Sequence, residues 1–132
     1  MNNEIKNLEP KVLWKNFANL GTIPRPSKKE EKVRQFIVAF GEKLNLETMV
    51  DPVSSVIIKK PASKGMENRK TIVMQSHLDM VCQKNSDINF DFDTQGIKMF
   101  VDGDWVKVRG TTLGADNGIG VAAPGWKCKI LP

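Results

Sequence analysis

The sequence predicts an α/β domain in which two N-terminal helices cover a mixed sheet. Three observations predict this class: helical apolar spacing before residue 45, β-branched and alternating stretches after it, and a short apolar run at residues 71–74 that ends in polar side chains. The 132 residues are 40% hydrophobic and 27% charged, which is typical of one globular domain with its own core. We therefore expect helices packed on a sheet.

Two helices are predicted near the start of the chain. The first covers Leu8 to Leu20, with Pro10 in its first turn and Gly21 as its stop. The second begins at Ser27, which forms a capping-box pattern with Glu30. Its apolar stripe, expected to face the core, consists of Val33, Phe36, Ile37, Phe40 and Leu44.

Short strands are predicted after the helices. Leu46 to Val50 and Val53 to Lys60 flank a turn at residues 51–52, and the second is rich in β-branched residues. Ile97 to Val108 contains an Asp-Gly turn at residues 102–103 between two apolar runs, which indicates a hairpin.

The first candidate site follows the apolar run Thr71 to Met74. Such a run is typical of a strand buried on both faces, and open α/β sheets place their sites where strands end. His77 and Asp79, two residues apart, share a face on a strand. An imidazole is a good zinc ligand, and a carboxylate on its other nitrogen fixes the tautomer. A satisfied polar pair at a strand end is the more common explanation of this spacing alone.

The second candidate site is the glycine-rich stretch Thr111 to Val121. Its glycines do not have the spacing of a dinucleotide-binding loop, and no Lys-Ser/Thr end marks a phosphate loop. It holds Asp116 on a turn before a predicted helix that starts near Asn117. Asp116 is therefore either a carboxylate presented to a cation or the cap of that helix.

Several functional classes are disfavoured by composition. The net charge of +5 comes without any tyrosine and without clustered aromatics, so we expect no nucleic-acid binding. No apolar run is long enough to span a membrane, and no secretory signal opens the chain. Asp87, Asp91 and Asp93 lack EF-hand spacing and are expected in a surface loop. Two cysteines make no disulfide framework, and a cytoplasmic location follows as the default.

Taken together, the two candidate sites resemble a known family. The segments VMQSHLDMVCQKNSD, FDFD and VDGDWVKVRGTTLGADNGIGVA, within Val53 to Ala122, are similar to the aminoacyl-histidine dipeptidases (Xaa-His dipeptidases, peptidase D). The resemblance is in register over that whole stretch. Residues 11–43, with the sequence IPRPS between two helices, also look like the N-terminal part of that family. The fold it implies is an incomplete N-terminal part of a zinc-peptidase catalytic domain.

The resemblance implies a role for each site residue. His77 would bind one zinc, Asp116 would bridge two zincs, and Asp79 would act catalytically by accepting the imidazole proton of His77. The substrates would be unblocked dipeptides, often with C-terminal histidine. Cobalt or manganese would suit the same ligands.

The chain also departs from this family. The glutamate pair and the remaining ligands lie beyond the GADNG turn in the family, and we expect this chain to be inactive alone. We expect residues 1–123 to be the partial catalytic domain. Pro124 should break the helix. We expect residues 124–132 to be a foreign tail from a truncated or frame-shifted reading frame. The alternative is a non-catalytic metal- or partner-binding module, which would be a stably folded monomer or a homodimer that completes the site in trans.

Overall fold

The computed structural model describes residues 2–130, with backbone alone for residues 126–130. A 3-10 turn at Ile5–Asn7 comes first, and the helices and strands follow in the order α1 (Lys11–Gly21), α2 (Glu31–Lys43), β1 (Glu47–Val50), β2 (Val56–Lys59), β3 (Met99–Asp102), β4 (Trp105–Val108) and α3 (Ala115–Ile130). The predicted combination of helices and strands, with two N-terminal helices, is confirmed.

Both sheets of the described residues are two-stranded and antiparallel. β1 pairs with β2, with Glu47 opposite Lys59, and β3 pairs with β4, with Met99 opposite Val108. Gly103 has a φ of 59° in the turn between β3 and β4, as the predicted Asp-Gly hairpin turn requires. A single isolated parallel bridge joins Pro26 to Met80.

The core lies between α1, α3 and the segments around Met80 and Ile97. Its buried members are Ile5, Phe17, Ala18, Met80, Ile97, Met99 and Ala122. Gly118 allows α3 to approach α1 closely, because a Cβ there would lie 2.8 Å from the ring of Phe17. The buried side chain of Asn2 ties the chain start to this core by accepting from the Met99 amide at 2.8 Å and donating to the Ile97 carbonyl at 3.0 Å.

The predicted strand at Thr71 to Met74 is wrong. These residues form no strand, and Ile72, Val73 and Met74 are exposed. An apolar run becomes a buried strand only where neighbouring strands satisfy its backbone groups. Among the described residues no strand pairs with this run, and it therefore stays outside the core.

The predicted start of the second helix is also wrong. α2 begins at Glu31, and its N-cap residue Glu30 makes no side-chain cap hydrogen bond. The Ser27 hydroxyl donates instead to a carboxylate oxygen of Asp79, far along the chain. Of the predicted apolar stripe only Val33 is buried. α2 packs mainly on the β1–β2 hairpin. The approach is close at Gly41, where a Cβ would lie 3.2 Å from the Ile58 side chain.

The helix break expected at Pro124 does not occur. α3 continues through Pro124 to Ile130, although a proline removes one helical hydrogen bond. Packing of α3 on α1 offsets that loss, and the Asn16 side chain donates to the Ala122 carbonyl at 3.3 Å. Residues 124–130 thus extend the helix, residues 131–132 lie outside the described residues, and the foreign origin of residues 124–132 stays a prediction.

Candidate metal centre

His77 joins the two predicted sites. Its Nδ1 lies 2.9 Å from Oδ1 of Asp79, and its Nε2 lies 3.1 Å from Oδ1 of Asp116. The exposed fractions of the side chains of His77, Asp79 and Asp116 are 47%, 31% and 95%. The imidazole therefore lies between two carboxylates, with Asp116 on the side that faces solvent.

The His77 segment is anchored at its C-terminal end. Met80 is 3% exposed within the core, and its amide donates to the Arg25 carbonyl at 3.0 Å. Thr112 then ties the following residues to the glycine-rich turn, because its hydroxyl donates to the Val81 carbonyl at 2.6 Å. The segment needs no regular strand to hold His77 in place.

The glycine-rich turn presents Asp116. Gly114 has a φ of 72°, and a Cβ there would lie 2.6 Å from the Arg25 guanidinium, so both conformation and space require glycine. The Gly118 amide donates to the Gly114 carbonyl at 3.1 Å. Asp116, with φ −90° and ψ 107°, and Asn117 are non-helical, and the peptide bond between them is cis. Asp116 therefore lies at the entry to α3 and contacts His77.

The electrostatics of the three groups are coupled. The pKa of His77 is raised above its ordinary value, chiefly because the Asp116 carboxylate accepts a hydrogen bond from the ring. Desolvation lowers this pKa to a smaller extent, and Asp79 raises it further. The Ser27 hydroxyl, followed by His77, lowers the pKa of Asp79. The raised pKa favours the protonated form of the His77 ring. Because a metal ligand must be the neutral ring, metal binding here would release a proton.

The donor set fits two ligands of one metal ion. Ligand atoms at 2.0–2.2 Å from a tetrahedral zinc lie about 3.3–3.6 Å apart, close to the 3.1 Å between Nε2 of His77 and Oδ1 of Asp116. Within residues 2–125, whose side chains the structure describes, no group of three or more His, Cys, Asp and Glu side chains is arranged to hold a metal ion. The described residues therefore supply two ligands where a zinc site takes three or four.

Two residues of this region were missed as site residues in the sequence. In the sequence, Arg25 lies within IPRPS between the two predicted helices, and Ser27 is the predicted helix cap. Arg25 is 2% exposed and donates to the Leu78, Asp79 and Gly114 carbonyls at 3.0, 3.2 and 2.6 Å. The signal in the sequence is an arginine flanked by two prolines. Because each proline fixes its own φ, the backbone around Arg25 is restricted.

The acidic loop is separate from this centre. The Asp91 carboxylate accepts from the Asp93 amide and from the Thr94 hydroxyl, and Asp93 pairs with Lys29. The rings of Phe90 and Phe92 contact each other edge-on, with their centroids 4.7 Å apart, and pack against the core. The predicted surface loop is confirmed, since Asp87, Asp91 and Asp93 are exposed.

Comparison with known proteins supports the resemblance. The chain is 49% identical over 120 residues, 91% of its length, to the cytosol non-specific dipeptidase of Escherichia coli K12. It is 48% identical, over 92% of its length, to the crystal structure of an aminoacylhistidine dipeptidase from Vibrio alginolyticus, with a TM-score of 0.89. The predicted resemblance to the aminoacyl-histidine dipeptidases, and to part of a peptidase domain, is confirmed.

These matches cover only part of each relative. The chain spans 25% of the length of each of those two relatives. A Staphylococcus aureus tripeptidase, at 18% identity with a TM-score of 0.68 and 32% of its length covered, shares the fold. No family model matches the chain. None of the described helices is both long and apolar enough to cross a membrane.

Proposed function

We propose that this chain carries part of the site of a two-zinc dipeptidase, with His77 and Asp116 as metal ligands. The observation that supports this proposal is the convergence of Nε2 of His77 and Oδ1 of Asp116, 39 positions apart in the sequence, to 3.1 Å. The dipeptidase relatives at 48% and 49% identity support the reaction class. Cobalt or manganese would suit the same ligands.

Each of the three side chains has a distinct task in this proposal. Asp79 accepts a hydrogen bond from the Nδ1–H group of His77, which keeps the Nε2 lone pair directed at the metal. Asp116 directs one oxygen towards His77 and is 95% exposed, so its second oxygen is accessible for a second ion. Metal ions held by His77 and Asp116 would supply Lewis-acid chemistry, which polarises a scissile carbonyl and lowers the pKa of a bound water. The general base, a glutamate in the family, is expected from outside this chain.

The proposed substrates are unblocked dipeptides, including those with a C-terminal histidine, and the proposed location is the cytoplasm. The names of two relatives support both: one is a cytosol non-specific dipeptidase and the other an aminoacylhistidine dipeptidase. The chain alone is proposed to be inactive, because its described residues supply two of the three or four ligands that a zinc ion requires.

Titration with Zn²⁺ tests the ligand assignment. His77 is the only histidine, so the imidazole signals in an NMR spectrum of the full chain report on this site alone. We expect Zn²⁺ to shift them in the unmodified chain and in the control Asp87→Asn, whose acid lies in the surface loop. We expect the shift to be weakened strongly in Asp116→Asn. An unaltered response of that variant would contradict the ligand set.

A dipeptide hydrolysis assay with added Zn²⁺ tests the second part of the proposal. We expect no turnover by the purified chain, since a general base and further ligands are missing from the donor set. Sustained hydrolysis that a chelator abolishes would show that the chain is a complete enzyme and would refute the proposed inactivity.

The second candidate function is a non-catalytic metal- or partner-binding module. The exposed apolar run, in which the exposed fractions of Ile72 and Val73 are 82% and 86%, favours a partner, and a second copy that completes the site is one such partner. A cooperative thermal transition together with a discrete dimer on a sizing column would support this function. Loss of Zn²⁺ binding in the separated monomer would assign the missing ligands to the second copy.

A further inference from the structure

Arg25 links the two halves of the candidate metal centre. Its Nη1 donates to the carbonyl of Leu78, which lies between His77 and Asp79, and to the carbonyl of Asp79 itself. Its Nη2 donates to the carbonyl of Gly114, two residues before Asp116. One planar side chain therefore fixes the spacing between the segment of His77 and the turn of Asp116.

A charged residue at this buried position has an energetic cost. The guanidinium is almost completely inaccessible, its Nε has no hydrogen-bond partner, and burial lowers its pKa despite the attraction of Asp79. Buried charges and unpaired donors are destabilising relative to apolar side chains of similar size. The position therefore needs a property that an apolar side chain lacks, and the three carbonyl contacts provide it.

Ser27 acts on the same site from the same segment. Pro24 and Pro26 restrict the backbone on either side of Arg25. Ser27 follows in a turn that is closed by the Lys29 amide, which donates to the Pro26 carbonyl at 3.0 Å. The Ser27 hydroxyl donates to Oδ2 of Asp79, whose Oδ1 lies 2.9 Å from Nδ1 of His77. The orientation of the carboxylate, and through it that of the imidazole, thus depends on Ser27.

We propose that Arg25 and Ser27 are positioning residues, which hold the His77–Asp79 pair and Asp116 in the mutual geometry that a metal ion requires. The metal part of this inference rests on the proposed function, whereas the link between the two segments does not. A residue that served only global stability would affect all parts of the fold alike. A positioning residue affects the two segments that it joins.

The test compares Arg25→Lys with the unmodified full chain and with Arg34→Lys, a control on α2 that exchanges the same residue types. Lysine keeps the charge but loses the planar fork that spans two segments. The first readout is metal-free: amide hydrogen exchange at Met80 and Gly118, compared with Leu46, whose amide donates to the Gly41 carbonyl at the remote β1 end. The second readout is the affinity for Zn²⁺, taken from the His77 imidazole signals.

We expect exchange at Met80 and Gly118 to accelerate in Arg25→Lys while exchange at Leu46 is unchanged. We expect the affinity for Zn²⁺ to fall about 10–100-fold, as is typical when a group that supports a metal ligand is removed. Unchanged exchange and affinity would overturn the inference, as would uniform acceleration that includes Leu46. If the unmodified chain gave no response to Zn²⁺, the proposed function would fail and the exchange readout would still decide the role of Arg25.

Ser27→Ala keeps the inference falsifiable if Arg25→Lys does not fold. Ser27 is exposed, so its substitution should leave the melting temperature unchanged. We expect a clear loss of Zn²⁺ affinity in this variant, and the control Ser55→Ala, before β2, should bind like the unmodified chain. Equal affinities in the two serine variants would overturn the role of Ser27.

Discussion

At the scale of single residues, the chemistry of this chain depends on contacts between positions far apart in sequence. Asp79 shows this most clearly, because one of its oxygens faces His77 and the other accepts from Ser27. Its task is to orient, and orientation depends on the charge and geometry of the acceptor. An amide at this position has the same shape but only one accepting oxygen.

Replacement of Asp79 by asparagine should therefore weaken metal binding without unfolding the chain. An asparagine cannot accept from both His77 and Ser27 in the same way, and we expect Zn²⁺ affinity to fall about 10–100-fold. The His77 signals in a Zn²⁺ titration measure the change, and Asp87→Asn serves as the control. An affinity equal to that of the control would show that Asp79 does not orient the ring.

The acidic loop gives a prediction on pH. The Thr94 hydroxyl, with the Asp93 amide, lowers the pKa of Asp91. Because the pKa of Asp91 is lower in the folded chain, the ionised carboxylate stabilises the fold. This stabilisation is fully present above the pKa of aspartate in the unfolded chain, about 3.9. It is lost as the pH falls through the lower pKa of the folded chain. Thr94→Ala should raise the pKa of Asp91 towards its ordinary value, as followed by carboxyl NMR, whereas Thr94→Ser should not. Equal pKa values in both variants would refute the assigned cause.

At the scale of elements, α1 and α3 form the platform that supports the glycine-rich turn. Phe17 of α1 is 1% exposed, contacts Trp14 edge-on at 6.0 Å and lies against Gly118 at the start of α3. Removal of this ring would leave a cavity beneath the entry to α3. The turn of Asp116 therefore depends on the packing of Phe17.

Phe17→Ala should reduce the free energy of unfolding by about 3–5 kcal/mol, the usual cost of truncating a buried phenylalanine. Urea denaturation followed by circular dichroism measures this change. Trp105 is 69% exposed on β4, and Trp105→Ala should cost less than about 0.5 kcal/mol. Similar losses in both variants would place the core elsewhere.

The elements also show which features were predictable from sequence. The two N-terminal helices, the strands within residues 46–60 and the hairpin at residues 97–108 depend on local signals, such as apolar spacing and the Asp-Gly turn. These elements are confirmed, apart from the start of the second helix. The helix cap predicted at Ser27 is wrong because α2 begins only at Glu31, after Lys28 with a φ of 68°. The Ser27 hydroxyl donates to a carboxylate 52 positions away. Proximity of His77 and Asp116 was expected from the resemblance, whereas the link through Arg25 depends on carbonyl groups, which every residue has and no sequence pattern marks.

At the scale of the whole molecule, the dominant feature is apolar surface without cover. Ile72, Val73 and Met74 are 82%, 86% and 55% exposed in a run that no described strand pairs. Unpaired backbone beside apolar side chains is a template for association between chains. The apolar composition of this run is that of a sheet interior, which is why the sequence predicts a buried strand. In this chain the same side chains are exposed and form an apolar surface.

We therefore expect the chain to associate as its concentration rises, and Val73→Lys to shift it towards the monomer. A charge in the middle of the run opposes both strand pairing and apolar contact. Sedimentation velocity over a concentration series measures the effect. Val53 is 81% exposed but lies in the turn before β2, away from any apolar run, so Val53→Lys adds the same charge without altering the run. If both variants reduced association equally, repulsion from the added net charge would be the cause, and association through residues 72–74 would be refuted.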